Sequence, residues 1–374
     1  MLNVEKIRGM FPVTKNKVFL NHAGQSPIPR PTARIMEKYI YESLNFGVFS
    51  LEWNEGGKPF FAELIGASKD EISLIENTSM GLNIVANMLE YPRGANIVTT
   101  DLEYPSVTYP YLKRKWNLEV RYVKNVDGKV LLEDVEKAVD DNTVVVAVSH
   151  VEYVNGFRND LKALAEIAHK HGAFLVVDAI QSAGAIPIDV KRDDVDFLAA
   201  ACYKWLLGPC GAGYLYVKRS LIKEFEPPLI GWASVKPEVF ETVDFWDIWH
   251  LDFPEDASKF QVGSPSFISF LGATESIKLL LEVGIDKIEK RILGLTDLLI
   301  EKAKGLGLGL QTPEEREHRS GIVNFKIDRA SERVEKLSEK NFVVSARSHG
   351  IRVSPHFYNT EEEINSFIEA LKGT

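Results

Sequence analysis

Scarcity narrows the reading of this chain first. Only two cysteines, Cys202 and Cys210, occur in 374 residues. They flank a lysine at close quarters, an arrangement that suits neither a disulfide framework nor a zinc site. There is no basic tract and the net charge is −9, which argues against a nucleic-acid surface. No apolar run approaches the roughly 20 residues of a membrane span. The opening residues, MLNVEKIRGMFPVT, lack the charged-then-apolar pattern of a signal peptide, so a cytoplasmic location is expected. The glycines of GLGLGL (305–310) have no strand–turn–helix setting. A nucleotide-binding doubly wound enzyme stays a last fallback, because no Gly-rich fingerprint follows the first strand. Internal repeats and low-complexity segments are missing too.

What remains is the composition of a globular protein, 45% apolar and 26% charged, large enough for one big domain and a smaller one. Between about 70 and 220, EISLIEN, NIVTTD, EVRYVKN, TVVVAVSHV, AFLVVDAI and VDFLAAACY read as strands, mostly buried on both faces. Amphipathic stretches, LLEDVEKAV and DLKALAEIAHKHG, separate them; the second opens on a cap at Asp160. Such alternation predicts an α/β fold with a parallel sheet between helices. Beyond about 262 the pattern changes. A long helical stretch (roughly 266–304) precedes short strands, and a last helix starts at a capping box of Thr360 and Glu363. The expected division is a large domain over 15–262, with 1–14 and 263–374 forming a smaller α+β domain.

Ligands bind parallel sheets at the carboxyl ends of strands, where Asp178 and Lys204 both fall. A lysine among Ala199, Ala200, Ala201, Trp205 and Leu206 has its pKa lowered by burial and becomes a nucleophile. A carboxylate at the end of FLVV can keep a pyridine nitrogen protonated. Together they have the layout needed for pyridoxal 5′-phosphate. Gln181 lies on the same side, within reach of a ring hydroxyl. The turn at Thr78 and Ser79 opens a helix, whose N-terminal amides and two hydroxyls suit a phosphate. Tyr104 follows a strand and can stack on a ring. Each residue alone has a plainer explanation, such as a surface lysine, a turn-capping aspartate or an ordinary helix cap. Their order along the chain decides the matter.

VVDAIQSAG followed by VDFLAAACYKWLLGPCGAGYLYV resembles the class V aminotransferases, the cysteine desulfurase-like group of fold-type I pyridoxal phosphate enzymes. The resemblance runs from FLNHAGQSPIP to GIRVSPHFYNTEEEI. Within the group the chain looks closest to the isopenicillin N epimerase-like branch, and its Tyr-Lys pair is similar to that of kynureninase. The resemblance implies a mostly parallel seven-stranded sheet and a homodimer with active sites at the interface. It implies Lys204 as the Schiff-base lysine, Asp178 as the pyridinium partner and Gln181 as the ring-hydroxyl contact. Thr78, Ser79 and Tyr203 would hold the phosphate, with Ser264 reaching the neighbouring subunit's phosphate. Tyr104 would stack on the ring, and His150 would lie near the ring hydroxyl, unless it is a packed strand-end histidine. Arg352 would pair with the substrate carboxylate, a geometry suited to its fork. Asn21, His22 and Gly24 would line the substrate pocket.

Departures from the family pattern matter as well. Desulfurases place a nucleophilic cysteine before the carboxylate-binding arginine; here that region is NFVVSARSHGIRVS, without one. Cys202 and Cys210 are expected to be packing residues. Ala201 stands where many relatives have a phosphate-binding serine. The expected function is a pyridoxal phosphate enzyme that works at the α-carbon of a small amino acid, of aminotransferase or epimerase type. The alternatives are a cysteine or selenocysteine lyase or kynureninase-like hydrolase, and, last, a non-catalytic cofactor-binding regulator.

Overall fold

The computed structural model describes residues 3–236 and 251–374; the part of the expected large domain between them lies outside the described residues. The strands are β1 (Val18–Phe19), β2 (Ile72–Ile75), β3 (Asn96–Thr100), β4 (Glu119–Val123), β5 (Thr143–Ser149), β6 (Phe174–Asp178), β7 (Phe197–Ala201) and β8 (Gly213–Val217). After them come β9 (Val323–Lys326), β10 (Phe342–Val343), β11 (Ser345–Arg347) and β12 (Gly350–Val353). Seven of them form one sheet in the order β2-β8-β7-β6-β5-β3-β4. All its pairings are parallel except those of β8, which runs antiparallel to β2 and β7.

Strict alternation sorts the strand residues onto two cores. Val146, Val148, Leu175 and Val177 pack with Leu161, Leu164 and Ala168 of the helix Leu161–Lys170. Val145, Ala147, Val176 and Ala199 face the other way, onto Leu82, Val85 and Ala86 of the helix Thr78–Met88. The small residues of β7 let that helix lie close. A Cβ on Gly81 would come within 2.9 Å of the Ala199 Cβ and 2.7 Å of Ile75 Cδ1. By the same alternation Asp178 shares the face of Val176, the face covered by the Thr78–Met88 helix.

The antiparallel sheet β11-β12-β9 and the capped helix Glu361–Lys372 build the smaller unit. Both halves of the capping box are present: Glu363 N–H donates to the Thr360 hydroxyl, and Thr360 N–H to the Glu363 carboxylate. Two sequence expectations need correction. The stretch 266–304 is two helices, Phe267–Val283 and Ile285–Gly305, broken at Gly284, whose φ of +90° suits glycine. The expected domain boundaries also differ from the packing. β1 pairs with β10, and Leu20 joins the core of Phe325, Val353 and Phe367, so this N-terminal stretch belongs with the small unit. The helix Phe267–Val283 belongs with the large one, because Ser276 bonds Thr32 at 2.6 Å and donates to Leu207 O at 2.9 Å. Short segments with few residues of their own take their place from tertiary partners.

Candidate active site

Three carboxyl ends of neighbouring strands supply the floor of the site. Asp178 ends β6 and is almost wholly buried. One of its oxygens accepts the Ile180 N–H at 2.8 Å. Burial pushes its carboxyl up to about 6, while the Ile180 N–H and the Lys204 charge pull it down. Lys204 follows β7 in the turn held by Leu207 N–H donating to the Lys204 carbonyl at 3.0 Å. Desolvation lowers its amine from the ordinary lysine range to about 8; Asp178 opposes that shift, and Arg352 and Arg347 add to it. An amine so poised is neutral far more often near neutral pH than an exposed lysine.

Two tyrosines flank this amine. The Tyr203 and Tyr104 rings lie 5.8 and 5.9 Å from Nζ, and Tyr104 meets Tyr153 edge to face at 5.2 Å. Tyr104 is 48% exposed, so one side of its ring is open to a ligand. The Tyr203 hydroxyl is held protonated by burial and by nearby Tyr104 and Asp178.

The Thr78–Met88 helix points its N-terminus at the same place. Asn77 caps it by accepting the Met80 N–H at 2.9 Å. The Thr78 hydroxyl accepts the Ala201 N–H at 3.0 Å, pinning the helix start to the end of β7. That contact leaves the Thr78 O–H proton available to an anion. Ser79 and Ser106 share a hydroxyl hydrogen bond of 2.7 Å, so one proton of that pair is available too.

Arg352 comes from β12 of the small unit and is 2% exposed. It donates to Tyr153 O at 2.7 Å, while its buried Nε has no partner. Burial and the Arg347 charge lower its guanidinium to about 10. No carboxylate pairs with it among the described residues. A buried guanidinium in that condition calls for an anion.

Gln181, Asn21, His22 and Gly24 are also tied into the surrounding protein. The Gln181 amide donates to Ala23 O at 3.0 Å and accepts from Trp205 Nε1 at 3.0 Å. It ties the 21–24 segment to the turn of Lys204, with one amide N–H left over. Asn21 pairs with Ser354 in an isolated bridge, and its buried Oδ1 lacks a partner. Gly24 packs over Asn21, whose side-chain nitrogen would meet an added Cβ at 2.8 Å. The expectation for His22 is corrected. Its Nδ1 meets Ser354 O and its Nε2 the Tyr358 hydroxyl, both at 2.8 Å, and it is 0% exposed. Burial drives its pKa to about 3. With both nitrogens taken, it has nothing to offer a substrate.

His150 is buried and, at about 3, neutral; its Nδ1 has no partner. Its backbone N–H donates to Asp178 O at 2.9 Å, which fixes it at the same strand end. Ser264 is exposed, on the segment before the helix Phe267–Val283. Cys202 is buried and its thiol is pushed up, in keeping with a packing role. Cys210 is exposed and does not pack, a correction whose cause is its place in the turn before β8. Sequence reasoning missed Glu103, Tyr153 and Arg347. Arg347 sits in the hairpin with Arg352, five positions earlier, and adds a second positive charge beside Lys204.

These residues fit pyridoxal phosphate on the structure's own terms: a desolvated amine, a buried carboxylate beside it, a helix start with free hydroxyl protons, and an unpaired buried guanidinium. The aminotransferase class-V family model matches residues 18–367. An uncharacterized aminotransferase, YcbU, from Bacillus subtilis is 33% identical over 98% of this chain and 97% of its own. A probable cysteine desulfurase from Methanothermobacter thermautotrophicus is 30% identical over 99% and 98%. Among solved structures, the apo cysteine desulfurase of Thermococcus onnurineus NA1 superposes with a TM-score of 0.88 at 27% identity, covering 100% of this chain and 99% of that one. Family, fold and site chemistry agree across almost the whole sequence. This chain belongs to the class V aminotransferase family, with the fold-type I architecture and pyridoxal 5′-phosphate as its cofactor.

Proposed function

We propose that this enzyme acts at the α-carbon of a small amino acid, transferring its amino group or inverting its configuration. One observation carries the reading: the desolvated Lys204 amine shares its surroundings with Asp178 and an unpaired, buried Arg352. Bound there, pyridoxal phosphate supplies an aldehyde for amines and a ring that takes up the electron pair released at the α-carbon. Asp178 holds a proton on the ring nitrogen, and Thr78, Ser79 and Tyr203 donate to the phosphate. Tyr104 covers the ring, with His150 and Gln181 on the side of its hydroxyl. Arg352 takes the substrate carboxylate and so orients the Cα–H bond toward Lys204. The Lys204 amine removes that proton and returns it, to the same carbon or elsewhere. Asn21 and Gly24 border the substrate, and the enzyme works as a cytoplasmic homodimer in which Ser264 reaches the partner's phosphate. The exposed apolar side chains Leu44, Phe46 and Tyr109 support such an interface.

The relatives named cysteine desulfurase favour a second reading, a lyase that releases sulfur. Against it stands the segment 341–352, which carries no cysteine and closes as the tight β11–β12 hairpin. The same feature supports the reading that the chain lies nearer the isopenicillin N epimerase-like branch. The test is a panel of amino acids, with and without a keto-acid acceptor, scored for keto-acid, D-isomer and sulfide. Acceptor-dependent keto-acid or D-isomer supports the proposal; sulfide at catalytic rates moves the enzyme to the lyase class. Full activity in Asp178→Ala would sink the chemistry altogether.

A further inference from the structure

Two acidic side chains near Tyr104 are not used by the site chemistry, Glu103 in the turn before it and Glu152 just after β5. Glu103 directly precedes Tyr104, and both its oxygens go to Ser149. One accepts the Ser149 N–H at 2.6 Å and the other the Ser149 hydroxyl at 2.6 Å. Ser149 ends β5 and is the register partner of Asp178 across the sheet. Glu103 therefore fastens the Tyr104 turn to the strand end beside the catalytic carboxylate.

Glu152 lies against it and is 0% exposed. Its Oε1 accepts from Asn159 Nδ2 at 3.1 Å and from the Thr100 hydroxyl at 3.4 Å. Its Oε2 is fully buried and receives no donor. An ionised carboxylate in that position would leave an oxygen desolvated and unpaired, which burial strongly disfavours. The Glu152 side chain lies within hydrogen-bonding range of Glu103, itself a carboxyl. Two carboxylates cannot bond each other, whereas a carboxylic acid and its neighbour can.

We infer that Glu152 carries a proton which it donates to Glu103, and that this acid pair positions the Tyr104 turn over the site. Desolvation raises both groups; Glu103 raises Glu152 further and Asp178 adds to the rise of Glu103, while the hydrogen bond from Glu152 and the bonds to Ser149 lower Glu103. Asp178 on β6, the register partner of Ser149, is the charged group outside the pair that acts on Glu103. The same Thr100 hydroxyl that reaches Glu152 accepts the Leu102 N–H at 3.2 Å, so the turn is tied at both ends.

The first arm of the test is infrared spectroscopy of cofactor-free protein at neutral pH, with and without carbon-13 glutamate. A carboxylic-acid C=O band that shifts with the label and is lost in Glu152→Gln is expected. No such band in the natural protein, or the full band surviving in Glu152→Gln, overturns the inference. The second arm rests on the cofactor reading and measures pyridoxal phosphate affinity. Glu152→Gln keeps a donor toward Glu103 and should bind within about threefold of the natural protein. Glu152→Leu loses that donor and should bind about tenfold more weakly, the worth of one hydrogen bond. Equal losses in both variants would overturn the positioning role. If Glu152→Leu does not fold, the infrared arm on the natural protein still decides, and failure of that protein to bind the cofactor refutes only the cofactor reading.

Discussion

Two buried polar clusters lie side by side in this molecule and differ in one respect. Around His22, every ring nitrogen has a partner: Ser354 O, the Tyr358 hydroxyl, and for His356 the Trp205 carbonyl and the Phe357 N–H. Around Lys204, the Arg352 Nε and His150 Nδ1 are buried with none. The first cluster is closed and holds the N-terminal segment to the small unit. The second is incomplete as protein and becomes complete only with an anionic, ring-bearing ligand. Buried polar groups are nearly always paired; Arg291 Nε and Arg319 Nε also lack partners, so what marks the site is an unpaired guanidinium and imidazole set beside a desolvated amine.

Lys204→Ala should break the open cluster most. Turnover is expected to fall about 10²–10⁴-fold, the range for loss of a positioned acid–base group, measured as steady-state kcat with the best substrate of the panel. A companion reading follows from its pKa near 8. Below that pH the neutral amine increases about tenfold per unit, so capture of pyridoxal phosphate by the cofactor-free enzyme should quicken accordingly and level off above about 8. A flat profile from pH 6 to 8 would contradict a desolvated amine. Next in size is Arg352→Leu. Losing a charge-assisted contact of about 1.5–3 kcal/mol should raise KM roughly 10- to 200-fold, with cofactor binding little changed.

How far the sequence foretold these clusters depended on whether a residue's role is set locally. Asp178 and Lys204 were legible because one ends and the other closely follows an apolar strand, and that position fixes their neighbours. The Thr360 cap was legible for the same reason. His22 was not, because its partners lie more than 300 residues away, at Ser354 and Tyr358. The break at Gly284 and the β1–β10 pairing were hidden likewise, since helix period does not report a kink and a two-residue strand has no period. Glu103 left a local trace, the acid directly before Tyr104, but its bonds to Ser149 and its contact with Glu152 are set by the fold.

The closed cluster should respond in stability and not in catalysis. His22→Ala removes a buried ring and leaves the Tyr358 hydroxyl and the Ser354 carbonyl unpaired. A loss of about 2–4 kcal/mol is expected, seen as a lower denaturant midpoint, with KM near its original value. A large KM change at unchanged stability would return His22 to the substrate pocket. Asp178→Asn should do the reverse in the cofactor-free protein. The folded-state pKa of Asp178 is raised, so the carboxyl favours folding when protonated, and that contribution is lost as pH rises from about 4 through about 6. Removing the charge should therefore add on the order of 1–3 kcal/mol at pH 7, offset in part by the unpaired Lys204, while turnover collapses.

The smallest expected effect belongs to Cys210, and it separates the two enzyme readings. Its thiol is exposed in the turn after Lys204, so replacing it removes no packing, and stability should hold within about 0.5 kcal/mol. Proton transfer at the α-carbon by Lys204 has no use for a thiol. Cys210→Ser should therefore leave kcat and KM unchanged for the amino acid that the natural enzyme turns over. Release of sulfur through a protein persulfide needs an accessible thiolate, and Cys202 is excluded by its burial and raised pKa. If sulfide release from cysteine were found and disappeared in Cys210→Ser, the turn after Lys204 would be doing the work that relatives assign to the segment before Arg352. The open cluster would then be defined by a sulfur nucleophile, and not by unpaired Arg352 and the amine of Lys204 alone.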